Sequence, residues 1–183
     1  MQPSSAPLSV APAPAGPPET EADRLARARA AAATVCDPEI PVLSIEDLGV
    51  LRDVRFDPAG RVEVTITPTY SGCPAMNMIA VDIAVALDRA GFPDARVVSV
   101  LTPAWSTDLM TERGRDELRR YGIAPPVGRA RTGRRALFGE TAVACPKCGS
   151  PDTERISEFG STACKALYRC RACREPFDYF KCI

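Results

Sequence analysis

Apolar and polar residues alternate with a period of two over 50–56 (VLRDVRF) and 61–67 (RVEVTIT), which predicts two strands with one face each toward a core. Between them, Asp57-Pro58-Ala59-Gly60 places Pro at the second and Gly at the fourth position of a type I turn, so the strands should form a hairpin. Over 74–90 (PAMNMIAVDIAVALDRA) the period changes to that of a helix, with Met78, Ile79, Ile83, Ala86 and Leu87 on one stripe. Pro74 suits the first helical position and Gly91 the residue past the end. RVVSVLT (96–102) predicts a third strand, and STDLMTERGRDELRRYG a final amphipathic helix stopped by Gly122. Upstream, Thr20 and Asp23 have capping-box spacing, and TEADRLARARAAAATV reads as a helix with a thin apolar face, expected at the edge of a domain. The fold class expected is α+β: a small three-stranded sheet packed on helices over 20–127.

The flanks differ in composition. Residues 1–18 (MQPSSAPLSVAPAPAGPP) carry no charge and six prolines, so 1–19 is expected to be a disordered tail. It has neither the basic start nor the continuous apolar stretch of a secretory leader, and no run of eighteen apolar residues occurs anywhere, so a cytoplasmic, membrane-free setting is expected. Residues 125–140 (PPVGRARTGRRALFGE) hold four arginines, and 128–140 is expected to be an Arg-rich linker. A docking strip for an acidic partner is its functional reading; a solvated linker is the simpler one.

Lys plus Arg equals Asp plus Glu at 23 each over 183 residues, and 35–127 is acidic, which argues against a nucleic-acid partner. There is no His. That excludes Ser-His-Asp triads, Cys-His pairs, His-ligated zinc hydrolases and the Glu-x-x-His sites of di-iron bundles. Any metal must be held by Cys or carboxylate.

Six of the eight cysteines lie in the last 39 residues. Cys145-Pro146-Lys147-Cys148 and Cys170-Arg171-Ala172-Cys173 are two Cys-x-x-Cys knuckles, each able to turn two thiolates toward one cation, so that the pair closes a tetrahedron. Short strands at 153–159, 165–169 and 176–181 surround them, which reads as a β zinc ribbon over 141–183. Four thiolates leave zinc no position for water, so one structural zinc is expected; the same ligands suit a single iron or an iron–sulfur cluster. Cys164 and Cys182 remain. If Cys170 faces Pro176 across a hairpin, Cys164 faces Cys182, giving a candidate thiol pair; two half-buried small residues are the alternative.

In Tyr70-Ser71-Gly72-Cys73-Pro74 the thiol sits at the head of a predicted helix, where unpaired N–H groups and the dipole favour a thiolate. Cys73 is therefore a candidate soft-metal ligand or reactive thiol, or else a capping residue. Asp37 and Glu39, in Asp37-Pro38-Glu39-Ile40-Pro41, are candidate supporting carboxylates; by spacing alone this is a Pro-stiffened loop.

DPEIPVLSIEDLGVLRDV, a hairpin, TPTYSGCP, then PAW before a helix together resemble the SufT-like metal–sulfur cluster assembly family over about 35–125. With CPKCGS, TERISEFGSTACKALYRC and EPFDYFKC added, the chain resembles the PaaD-type proteins of phenylacetate degradation over 35–183. That resemblance implies an accessory or maturation subunit of the multicomponent phenylacetyl-CoA 1,2-epoxidase. Its partners would be the other epoxidase subunits, and transient iron or an iron–sulfur centre would be its cargo. Cys73 matches the family's Cys motif, and Asp37 and Glu39 its acidic element. The rival readings are a non-catalytic structural subunit and, more weakly, a thiol enzyme. The chain has neither Glu-x-x-His nor a Gly-x-Gly-x-x-Gly after a strand, so it is neither the oxygenase nor the reductase.

Overall fold

The computed structural model describes residues 19–127 and 143–181. Residues 1–18 of the expected tail, the Arg-rich linker and Cys182 lie outside these residues. Helix α1 (Glu21–Ala33) opens with the expected capping box: Thr20 Oγ1 accepts from the Asp23 N–H, and the Asp23 carboxylate accepts from the Thr20 N–H. Its thin apolar face is no edge contact. Ala28 and Ala32 are fully buried in the main core, because the small side chains let the helix axis approach the sheet.

The DPEIP segment, expected to be a loop, folds as a small hairpin of β1 (Cys36–Asp37) and β2 (Ile40–Ser44). Asp37 Oδ1 accepts from the backbone N–H of Glu39 at 2.7 Å and of Ile40 at 3.1 Å, which closes the tight turn around Pro38. Strands β3 (Leu51–Phe56) and β4 (Val62–Ile66) are antiparallel, as the alternation predicts. Helix α2 (Ala75–Arg89) then crosses over so that β5 (Arg96–Ser99) pairs parallel with β4, giving the sheet order β3-β4-β5. The buried row of α2 is Ala75, Ile79, Ile83 and Leu87. Met78 is not part of it: it lies about 100° around the helix from Ile79 and is exposed with Val81 and Val85.

The last predicted helix is shorter than expected. Thr107–Leu109 form a 3₁₀ turn, Met110 is extended, and α3 runs over Glu112–Tyr121. Thr111 is the reason: its hydroxyl accepts from the Gly114 N–H at 3.0 Å and donates to Asp47 at 2.7 Å, so the helix starts at its cap. Gly122 ends it with φ of 91°.

After α3 comes β6 (Ile123–Ala124), and the Cys-rich end supplies β7 (Thr153–Ser157), β8 (Lys165–Cys170) and β9 (Pro176–Phe180). All four form one sheet in the order β6-β9-β8-β7, with β6 parallel to β9. The ribbon is therefore sewn to the first unit by backbone pairing. Phe180 reinforces the seam: it is buried in the main core with its ring 6.1 Å from that of Trp105, whose Nε1 donates to Leu48 O.

Pairing of β8 with β9 corrects the expected register. Arg169, not Cys170, faces Pro176, and Lys165 faces Phe180. Continued by one residue, Cys164 meets Lys181, whose N–H donates to Cys164 O at 3.0 Å. A one-residue slip turns every side chain to the other face, so this register places Lys181, not Cys182, opposite Cys164. Cys182 itself lies outside the described residues.

Phe180→Ala should open a cavity at the seam and cost about 3–5 kcal/mol of stability. Chemical denaturation followed through Trp105, the chain's single tryptophan, measures it; an unchanged midpoint and slope would show that the ribbon is not held there.

Candidate functional site

Two groups of thiols stand out. In the first, the sulfurs of Cys145, Cys148, Cys170 and Cys173 all lie within 4.8 Å of one another, with Cys145 to Cys173 at 3.8 Å and Cys148 to Cys170 at 3.5 Å. A tetrahedral zinc with Zn–S bonds of about 2.3 Å separates its sulfurs by about 3.8 Å, so the set fits the ion with little adjustment. The knuckles also aim backbone N–H groups at sulfur: Cys173 N lies 3.4 Å from Cys170 Sγ. That hydrogen bond brings Cys170 down to about 7. The Ser150 N–H likewise favours the Cys148 thiolate, yet its hydrogen bond with Cys170 and its loss of water push it up to about 12. Four crowded thiols cannot all ionise without a cation, so zinc loading must expel protons. The set is closed, which makes zinc a folding element with no open position for substrate.

The second group lies at the junction of the two units. Cys73 directly precedes Pro74, the N-cap of α2, and is half-buried. Asp37, buried on the β1–β2 hairpin, and Glu39 act on it electrostatically. Tyr70, one turn upstream, feels Cys73, Glu39 and also Cys164. Cys164 comes from the ribbon, buried, with its sulfur 3.0 Å from Thr162 Oγ1. Next to it, Lys165 is only 4% exposed; its charge acts on Asp37, Glu39 and Cys164, and its ammonium is 3.7 Å from Asp178. Electrostatic interaction thus links Cys73 with Asp37 and Glu39, and reaches three residues that sequence reasoning does not join to them: Tyr70, Cys164 and Lys165. The only signal for the last two is the lone Cys-Lys pair in the ribbon's loop, which a pattern search has no reason to join to a residue some ninety positions away.

The electrostatics reverse one expectation. The helix end by itself favours a Cys73 thiolate. Burial instead pushes the thiol up; the Ala75 N–H pulls against this, but the Asp37 and Glu39 carboxylates push further in the same direction. Cys164 is likewise raised, by burial first, with the Thr162 hydroxyl opposing. Burial also raises Asp37, against its two backbone N–H bonds, and Glu39, where the Asp37 charge adds to it. The raised thiol of Cys73 thus sits under the influence of two carboxylates, and Lys165 is the cation that acts on those carboxylates. Among the described residues, the ribbon's four cysteines are the group of three or more Cys, Asp or Glu that could hold a metal ion.

Comparison with known proteins gives matches over both units. Residues 129–181 match the family model described as "PaaD zinc beta ribbon domain", and 25–102 match "Iron-sulfur cluster assembly protein". The chain is 55% identical over 147 residues to a component of the "Putative 1,2-phenylacetyl-CoA epoxidase" of Escherichia coli (strain K12), covering 80% of this chain and 86% of that protein. It is 36% identical over 86 residues to "Fe-S protein maturation auxiliary factor" of Porphyromonas gingivalis, covering 46% of this chain and 81% of that one. A solved structure, "Domain of Unknown Function DUF59" from Bacillus anthracis, superposes with a TM-score of 0.47 at 28% identity, over 52% of this chain and 91% of that chain.

Replacing Cys170 or Cys148 by Ser should release zinc and unfold the ribbon, since structural zinc sites contribute about 10–16 kcal/mol of apparent binding energy to folding. Metal analysis with circular dichroism checks this, and full zinc retention in both variants would refute it. At Cys73, alkylation proceeds through the thiolate. A raised thiol is less ionised at pH 7 than an ordinary one near 8.5, so labelling should be slow at neutrality and accelerate as pH climbs past that value. Asp37→Asn keeps the turn's acceptor but removes the charge, and should shift the rate profile to lower pH. Peptide mapping of alkylated protein across pH reads both effects.

Proposed function

The chain belongs to the PaaD family, and from that premise we propose that it is an accessory maturation factor of a multicomponent phenylacetyl-CoA epoxidase. In this reading it acts in the cytoplasm and assists assembly of the iron or iron–sulfur centre of an oxygenase or reductase subunit. Residues 20–127 form the cargo unit, and the zinc-stabilised ribbon over 141–183 serves client recognition. What supports this is a half-buried Cys73 on which the Asp37 and Glu39 carboxylates act, apart from the zinc ligands. A soft thiolate beside hard carboxylates suits iron. The similarity to an "Fe-S protein maturation auxiliary factor" points the same way.

The raised thiol gives such a site its handling properties. Iron binding must displace the Cys73 proton, so protons compete with cargo at neutral pH. That competition keeps the complex reversible: the cargo can be taken by a recipient with more or stronger thiolate ligands, and Cys73 is reprotonated as it leaves. Asp37, held by two backbone N–H groups, keeps its carboxylate fixed while cargo enters and departs. Catalysis by Cys73 as a nucleophile has little support, because no His base exists and the thiol is raised.

The isolated protein should not epoxidise phenylacetyl-CoA, while its deletion should lower pathway activity in cells and leave the oxygenase or reductase under-metallated. Iron analysis of those subunits from deletion cells, complemented with wild type or Cys73→Ser, tests this. Full metal content together with failure of the subunits to assemble would instead establish a structural role.

A further inference from the structure

We propose that the cavity lined by α1, the Asp47 turn, β3 and the head of α3 binds a small organic monocarboxylate with an apolar body, and that Arg52 takes the carboxylate. The cavity shares no lining residue with the zinc ligands or with Cys73, Asp37 and Glu39, and the inference goes beyond the maturation reading.

An unmatched cation is the first argument. Arg29 pairs with Glu46 at 3.0 Å and Arg113 with Asp47 at 2.8 Å, so both acids of the cavity wall are engaged. Asp47 also accepts from Ser44 and Thr111. Arg52 is the third guanidinium on the wall, and among the described residues it has no ion-pair partner. Its Nη1 is shut off from solvent and makes no hydrogen bond. A donor left in that state is costly, and the cost is relieved when the side chain turns to an acceptor. The wall offers no free carboxylate, so the acceptor must come from outside the chain.

The backbone places Arg52 by a β-bulge. Leu51 faces Ile66 and Asp53 faces Thr65, so Arg52 is an extra residue on β3. Leu51 and Val54, three apart, are both buried, which strict alternation would not allow. The bulge takes Arg52 off the row it would share with Val54 and leaves it lining the cavity. Another wall is closed backbone to backbone. A Cβ on Gly49, whose φ is 76°, would stand 2.6 Å from Leu109 Cβ, and Thr111 N donates to Asp47 O at 2.9 Å. The cavity is therefore built before any ligand arrives.

Charge and size select the ligand. Three arginines against two acids leave one surplus positive charge, which one carboxylate cancels. A phosphate dianion would leave net negative charge beside Glu46 and Asp47. The planar fork of a guanidinium also matches a carboxylate with two parallel hydrogen bonds. Arg29 and Arg113 are 47% and 68% exposed, and surface pairs of this kind hold weakly, so both can lean toward the same anion. At about 650 Å³ the cavity has the size of a small-molecule site, and Leu51 and Leu109 offer apolar contact to the rest of the acid.

The test is titration of the full-length, zinc-loaded protein with benzoate, followed by calorimetry and by the Arg52 Nε–H signal in a proton–nitrogen correlation spectrum. Absence of that signal in Arg52→Lys assigns it. Benzoate should bind one-to-one and move the signal along the same saturation curve. Arg52→Gln should weaken binding at least about tenfold, with zinc content and circular dichroism unchanged. Inorganic phosphate at equal concentration should neither compete nor move the signal. Equal benzoate affinity in wild type and Arg52→Gln overturns the proposal, as does an Arg52 signal that stays put when benzoate is in excess. Tighter binding of phosphate than of benzoate overturns the carboxylate assignment. If a glutamate-rich peptide moves the signal and benzoate does not, the site is a protein contact and the small-molecule assignment falls. Should Arg52→Gln lose its fold, the wild-type signal decides alone.

Discussion

Closure of the four sulfurs of Cys145, Cys148, Cys170 and Cys173 around one cation is the constraint on which the ribbon side depends. Three short strands with a core of seven buried residues cannot offset their own ordering entropy. With the knuckles tied, β8 and β9 hold a fixed register, and that register carries Phe180 into the main core and sets Cys164 and Lys165 at its border. The zinc centre thus acts at a distance from any chemistry. The strands it ties together meet the first unit through the pairing of β6 with β9.

On the other side, one carboxylate organises the approach to the site. Asp47 accepts from Ser44 at the end of β2, from the Thr111 hydroxyl at the head of α3, and from Arg113. Burial works against its ionisation, but these donors outweigh it and hold the carboxyl below its usual range. The link ties the hairpin that bears Asp37 and Glu39 to the helix that leads into β6. The hairpin with Asp37 and Glu39 and the ribbon's attachment strand are therefore parts of one hydrogen-bonded frame.

The site itself is a balance between opposing terms. A helix N-terminus favours a thiolate by a modest amount, while burial beside two carboxylates disfavours it, and at Cys73 the second effect wins. The same arrangement that makes Cys73 a poor nucleophile makes it a receptive place for a cation. A basic thiol holds its proton until something more positive replaces it, so binding of a cation there is coupled to proton release.

Much of this was legible in the chain. Alternation and helical period place β3, β4 and α2 to within a residue and β5 to within three, since binary patterning records which face meets a core. The Cys-x-x-Cys spacing dictates the zinc tetrahedron because two local turns suffice to build it. Thr20 and Asp23 specify their cap for the same reason, as all the partners are near in sequence. What the sequence left open depends on contacts between distant segments. Met78 falls off the buried row, and Thr111 starts α3 late because Asp47 lies above it. The β8–β9 register differs by one residue from the expected one, which sets Lys181 and not Cys182 opposite Cys164. Whether Cys73 is a thiolate or a thiol is set by burial and by carboxylates more than thirty residues away, which no local motif encodes. The electrostatic reach of Lys165 to Asp37 and Glu39 is likewise a property of how the ribbon is joined to the first unit, and only the tertiary structure decides it.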